Sequence, residues 1–351
     1  MTKMAVPPPH VTRALCDPGA KPAEGSAAQL DLLVRRYLPA LRLHPLSQKA
    51  IPQLAKDPRA LKAIARAVRE VPTGHHLWLG DSRAMSHIPD DSVHLIVTSP
   101  PYFDLKNYPG HESQLGGVHD YEVFLKELDR VWGECYRVLV KGGRLVIVVG
   151  DVCRSRRVFG EHHVIPLHAS IIEHCRYLGF HNLATVAWHK ISNAKFEVEN
   201  GTSFLGKPYE PNAVIKNDLE FILMQRKPGG YRQPTEAMRV LSVIAEKDQR
   251  AWFNQIVRFH GASTRQHPAP YPLELAVSLV RMFSFVGDTV VDPFSGTGTT
   301  SVAAARSGRS SIGVEIETSY HKMALLRLVD EVRRPRLRAT VDAHLDDAPK
   351  G

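Results

Sequence analysis

The chain predicts an α/β fold in which a mostly parallel sheet is covered by helices on both faces. Three observations carry this expectation. From Leu77 onward, short apolar runs alternate with stretches of helical period. Two of the runs, Val93–Val97 and Thr289–Val291, stop abruptly in loops of unusual composition: Thr98-Ser99-Pro100-Pro101-Tyr102, and Asp292-Pro293-Phe294-Ser295-Gly296-Thr297-Gly298-Thr299-Thr300. At 351 residues with 43% hydrophobic content, the chain is also long enough to bury a large core.

Taken in order, residues 1–28, with Pro7-Pro8-Pro9 and a Gly/Ala-rich stretch, are expected to be a disordered lead-in. They lack the apolar core of a signal peptide. Residues 29–74 predict a small basic helical extension. Leu30, Leu33, Val34, Tyr37, Leu38 and Leu41 follow a 3.6 period, Leu61, Ile64, Ala65 and Val68 resume it, and Pro39, Pro45 and Pro52 divide it. Residues 75–190 hold predicted strands at Leu77–Leu79, Val93–Thr98, Leu145–Val149 and Leu183–Trp188. Between them, Asp120 caps a predicted helix with the stripe Phe124, Leu128, Val131, Cys135 and Val138, stopped at Gly142-Gly143. A second helix is expected over Ile165–Leu178, closed by Gly179.

Residues 191–270 break the rhythm. They are polar and rich in Gly, Pro and Asn, and are expected to be insertions around one strand at 219–226. Lys190, just ahead of this region, and Asn193, Lys195, Lys207 and Arg232 within it are candidate DNA contacts, since such side chains bond base edges and phosphates. Residues 271–330 resume the pattern with a helix at Leu273–Phe285, the strand Thr289–Val291, a helix at Thr299–Arg306 and a strand at Ser311–Val314. Residues 331–351 are expected to be a basic, then acidic, tail.

Charge narrows the partners. The net charge is +9, and residues 1–72 hold 12 Lys/Arg against 5 Asp/Glu. That balance favours a polyanion, although a solvated surface explains it equally. Cys16, Cys135, Cys153 and Cys175 lack metal-ligand spacing and suit a reduced, cytoplasmic protein. That spacing gives no reason to expect a metal site, and no run approaches 18 apolar residues, so no membrane span is expected.

The glycine loop feeds a helix N-terminus, where electronegative groups are favoured. Glu315 follows Gly296 by 19 residues at the end of the next predicted strand, where a carboxylate can bind a ribose diol. Ser301 stands where a dinucleotide fingerprint needs its third glycine, and the loop opens with Asp292. This disfavours NAD and favours S-adenosylmethionine, with Asp292 facing its ammonium group and Glu315 its ribose. A purely structural turn is the alternative. In Ser99-Pro100-Pro101-Tyr102, prolines stiffen the backbone, Ser99 and the Pro100 carbonyl can accept bonds from an exocyclic NH2, and Tyr102 offers a stacking face.

With these motifs in this order, the chain resembles the permuted, β-type DNA amino-methyltransferases, most closely the N4-cytosine enzymes. Further matching segments are Leu77-Trp78-Leu79-Gly80-Asp81-Ser82, Tyr136-Arg137-Val138-Leu139 with Gly142-Gly143, Ala187-Trp188-His189-Lys190, His267-Pro268-Ala269-Pro270-Tyr271-Pro272 with Gly287-Asp288, and Gly313-Val314-Glu315. The resemblance spans residues 75–330. It implies a Rossmann-like methyltransferase fold with seven strands in permuted order, and S-adenosylmethionine as methyl donor. The substrate it implies is double-stranded DNA whose target base leaves the helix. Catalysis would rest on Ser99, Pro100, Pro101 and Tyr102. The cofactor would rest on residues Asp292 through Thr300, Glu315, His267, Pro268 and Asp81, the last placed toward its adenine, or else only a turn aspartate. Trp188 and His189 are expected beside the base pocket or, for the tryptophan, in the core. A serine-led loop is typical of cytosine N4 enzymes; adenine N6 chemistry stays open. No cysteine follows a proline, which disfavours 5-methylcytosine chemistry, and a glutamine-modifying relative would carry the glycine loop first. A cognate restriction endonuclease and a second copy of the chain are further expected partners.

Overall fold

The computed structural model describes residues 26–103, 114–190, 204–205, 209, 211–215, 217–261, 271–333 and 337–345. The chain opens with three helices, α1 (Ala27–Tyr37), α2 (Ala50–Lys56) and α3 (Pro58–Arg69). A reciprocal pair starts α1: Ser26 Oγ accepts from Gln29 N–H while the Gln29 side chain accepts from Ser26 N–H. Pro58 opens α3, and Asp57 caps it.

Next come β1 (Thr73–Leu79), β2 (Val93–Thr98), α4 (Tyr121–Val138), β3 (Leu139–Val149), β4 (Val152–Arg154), α5 (Arg156–Phe159), β5 (His163–Ile165), α6 (Leu167–Tyr177), β6 (His181–Asn182) and β7 (Val186–Lys190). The inserted region contributes β8 (Phe204–Leu205), β9 (Val214–Ile215), β10 (Leu219–Arg226), α7 (Glu236–Leu241), α8 (Glu246–Trp252) and β11 (Ile256–Phe259). The chain closes with α9 (Leu273–Phe283), β12 (Thr289–Asp292), α10 (Thr299–Arg306), β13 (Ser310–Glu315), α11 (Thr318–Arg333) and β14 (Ala339–Leu345).

One sheet runs in the order β11-β7-β10-β3-β2-β12-β13-β1-β14, with β6 paired to β10. From β14 to β3 every neighbour is parallel; β10 is antiparallel to both β3 and β7. The seven expected strands correspond to the run from β7 to β1. The sheet has ten because β11 and β14 extend its edges and β6 adds a short pair. β14 corrects the expectation of a tail at 331–351. It pairs along all of β1, but none of its residues is buried, so its sequence carries no apolar run. Another correction concerns Gly142-Gly143. Helix α4 already ends at Val138, and β3 runs through both glycines, with a register shift against β2.

Alternate residues of each strand feed opposite layers. Ile147 and Val149 join Phe124, Leu128 and Trp132 of α4 on one face. Val146 and Val148 join Leu275 and Leu279 of α9 on the other. Leu30, Val34, Ile64 and Ala67 of the helical extension pack with Ala237, Val240 and Leu241 of α7 and with Val286, just ahead of β12. Part of the 191–270 region therefore completes the core of the N-terminal helices. Among the described residues, no helix is long and apolar enough to cross a membrane.

Candidate functional site

Strands β1, β2, β12 and β13 are parallel neighbours, so their following loops converge on one edge of the sheet. In open α/β sheets, ligands bind at the carboxyl ends of the strands. Here those ends enclose a cavity open to solvent. It is lined by Gly80, Asp81 and Ser82 after β1, and by Ser99, Pro100 and Pro101 after β2. Pro293, Phe294 and Gly296 line it after β12, and Glu315 and Ile316 line it at the end of β13. Gln114 to Gly116 and Tyr320 complete the wall. Two loops nearly 200 residues apart in sequence thus share one wall.

Glu315 holds the glycine loop in place. Its Oε2 accepts from Gly296 N–H at 2.7 Å and its Oε1 from Glu317 N–H at 2.9 Å. Burial nevertheless pushes its carboxyl up to about 7, with the neighbouring Asp292 and Glu317 charges adding to the rise. Two glycines are required by geometry. Gly298 caps α10 at φ +77°, and a Cβ there would lie 3.0 Å from that of Ala324. A Cβ on Gly313 would lie 2.6 Å from Ser295 Oγ and 2.9 Å from Leu77 Cδ2.

Asp292 departs from its expected role. It is 1% exposed, and its carboxylate is spent on the protein: Oδ1 accepts from Thr98 Oγ1 at 2.7 Å and from Phe294 N–H at 3.0 Å, and Oδ2 from Thr300 Oγ1 at 2.5 Å. Burial pushes its carboxyl up to about 6. It does not face the cavity, so it does not receive an ammonium group there. Instead it ties the end of β2 to the start of α10, and Tyr271 extends the chain by bonding Thr300. Thr297 and Thr299 point away as well: Arg327 donates to the Thr297 carbonyl at 3.2 Å and to Thr299 Oγ1 at 3.0 Å. Within the expected Asp292–Thr300 loop, Pro293, Phe294 and Gly296 line the cavity, whereas Ser295 and the other residues build the turn.

Asp81 combines its two expected readings. It lines the cavity, and it also accepts from Arg83 through the backbone N–H at 2.9 Å and through Nε at 3.0 Å. Burial opposes its charge, but the Arg83 hydrogen bonds outweigh that and hold the carboxyl below its ordinary value.

Ser99, Pro100 and Pro101 present themselves to the cavity, but Tyr102 does not line it. Its ring is 7% exposed and packs in the core beside Gly150. The stacking face expected of Tyr102 is therefore turned into packing, and the ring supports the loop from behind. Just past Gly150 lies a hydrogen-bonded pair that sequence reasoning missed: His168 Nδ1 meets Asp151 Oδ1 at 2.6 Å, and the imidazole stacks on Phe221 with centroids 3.9 Å apart. The only signal available was Gly150-Asp151 at the end of an apolar run. Tyr320, five residues past Glu315 on α11, carried no signal.

The base-reading candidates fare differently. Asn193, Lys195, Lys207, His267 and Pro268, and the side chain of Lys190, lie outside the described residues. Arg232 is corrected: its guanidinium forks onto the fully buried carboxylate of Asp288 at 2.5 and 2.6 Å, so it is an internal ion pair rather than a free DNA contact. Trp188 belongs to the core, fully buried with its Nε1 donating to the Phe259 carbonyl at 3.1 Å. His189 meets Asp218 at 3.1 Å.

The donor set fits S-adenosylmethionine. Glu315 offers a carboxylate for a ribose diol, Phe294, Ile316 and Tyr320 offer apolar walls for a flat ring, and Asp81 adds a second acceptor.

Comparison with known proteins agrees. The DNA methylase family of N6 and N4 enzymes matches residues 93–326. The type II methyltransferase M.MjaI of Methanocaldococcus jannaschii is 36% identical over 281 residues, covering 71% of this chain and 89% of its own. The putative DNA modification methylase TTHA0409 of Thermus thermophilus, solved in complex with S-adenosyl-L-methionine, is 49% identical with a TM-score of 0.64, covering 78% of this chain and 99% of its own. The cytosine-N4-specific PvuII DNA methyltransferase shares the fold, at 18% identity and a TM-score of 0.55, covering 78% and 97% of the two chains.

Proposed function

We propose that this chain, which belongs to the N6/N4 DNA methylase family and transfers methyl groups from S-adenosylmethionine to DNA, acts on the exocyclic N4 of cytosine. The observation that carries the choice of base is the serine that heads the Pro-Pro loop on the cavity wall.

The target amino group is paired inside the duplex, so the base must be flipped out to reach this edge of the sheet. When bound, S-adenosylmethionine supplies an electrophilic methyl group on a sulfonium. The protein's part is positioning. Glu315 binds the ribose, Asp81 the adenine, and Phe294 offers a π face to positive charge. Ser99 Oγ and the Pro100 carbonyl accept the two amino hydrogens, which bends the nitrogen toward a tetrahedral shape and frees its lone pair. Thr98, bonded to Asp292, keeps this loop fixed against the cofactor loop. Methylation leaves the nitrogen with a proton to lose. Serine cannot hold it, and it passes to the solvent to which the cavity opens. A role in restriction-modification, beside a cognate endonuclease or alone, fits a modification enzyme of this kind.

Kinetics with DNA from a host lacking methylation test the pocket. Ser99→Ala should lower kcat by about 10²-fold with affinity for S-adenosylmethionine, measured by calorimetry, within about twofold. An unchanged methylation rate in Ser99→Ala would overturn the assignment of the pocket.

A further inference from the structure

A strongly basic stripe lies away from the cavity. Helix α3 carries Arg59, Lys62, Arg66 and Arg69, spaced three, four and three residues apart. At about 100° per residue these four fall within roughly 80° of arc. All four are exposed, while Ala60, Ile64 and Ala67 fill the opposite, buried face. Local acids are engaged elsewhere: Glu70 takes Arg36 at 2.8 Å, and Glu246 takes Lys56 at 3.7 Å. The stripe forms no ion pair among the described residues. Exposed Arg338 extends it, because its backbone N–H bonds the Arg69 carbonyl where β14 begins.

The position matters more than the charge. Arg69 lies just ahead of the first residue of β1, whereas the cavity lies past the last. A seven-residue strand separates them, about 20 Å along its axis. Val68 also packs against Gly308, just ahead of β13, which places α3 at the amino ends of the strands. A duplex delivering a base to the cavity would have to bend sharply to reach this stripe, at a cost of about 1–6 kcal/mol.

We propose that α3 and the start of β14 hold a second segment of duplex DNA by its phosphates, on the side of the molecule opposite the catalytic cavity. This rests on DNA being the substrate. The stripe spans about 15 Å of helix, matching a run of phosphates rather than one anion, and four cations without side-chain partners among the described residues release counterions when they meet one. A second segment held this way keeps the enzyme on long DNA while the cavity samples bases.

The test is the variant Arg59→Gln/Lys62→Gln/Arg66→Gln/Arg69→Gln, whose glutamines keep helix propensity. Its melting temperature and its affinity for S-adenosylmethionine should match the wild type. With a random 200-bp duplex, the slope of log Kd against log salt should fall by about three to four. Wild type bound to DNA-coated beads should retain a second, labelled duplex, and the variant should not. A folded variant with a slope changed by less than about one, or with bridging intact, overturns the proposal, including where the stripe serves an acidic protein instead. A wild type that binds no duplex overturns this proposal and the DNA reading together. A wild type that methylates DNA while the variant bridges equally well overturns this proposal alone.

Discussion

Glu315 is placed to serve structure and, in the proposed function, ligand together. It braces the glycine loop through Gly296 N–H while facing the cavity, and burial holds its carboxyl near 7. Hydroxyl donors from a ribose favour the ionised form, so cofactor binding should expel a proton around neutral pH. Affinity for S-adenosylmethionine should rise as pH increases through about 7 and then level off. Calorimetry in buffers of different ionisation enthalpy measures the released proton. Glu315→Gln should lose that proton release and weaken binding by about 10- to 100-fold. The same shift has the opposite sign for the free protein. Its folded value lies above the ordinary 4.5, so the group's contribution to stability falls as pH rises from there to about 7. Asp292 marks where residue-level reading from sequence stopped. A carboxylate opening the loop suggested a ligand for a cation, yet three internal donors claim it. Which way a side chain turns at a strand end depends on partners such as Thr98, 194 residues away.

At the scale of elements, the strands that bear the site were legible because their apolar runs end at once in distinctive loops. Val93–Thr98 matches its expected span, and Thr289–Asp292 exceeds it by one residue. The edge strands β11 and β14 were not legible, since no residue of β14 and only Val257 of β11 is buried, so neither needs an apolar run or a clear alternation. Arg232 was misread for a related reason. An arginine in a Gly/Pro-rich insertion resembles a phosphate contact, and only the fold brings it to Asp288, 56 residues away. That ion pair pins the segment between β10 and α7 to the loop ahead of β12. Arg232→Met should therefore destabilise the protein by about 3–5 kcal/mol, by stranding a buried carboxylate. It should leave the salt dependence of DNA binding unchanged. Denaturant melts and binding titrations at several salt concentrations check both halves.

At the scale of the molecule, the two motifs that stood out in the sequence meet on one cavity wall because β2 and β12 are parallel neighbours. That the chain is a DNA methyltransferase was legible from the composition and order of these two loops. The partition of charge was legible only as an excess near the N-terminus. Its placement at the amino ends of the strands emerges from the packing of α3 against α1 and α7. The central claim is that this cavity methylates the N4 amino group of cytosine. Its most direct test is mass spectrometry of nucleosides from DNA incubated with the enzyme and isotope-labelled S-adenosylmethionine. The account predicts labelled N4-methyldeoxycytidine, strongly reduced with Ser99→Ala. Label found in N6-methyldeoxyadenosine, with none in cytosine, would contradict it.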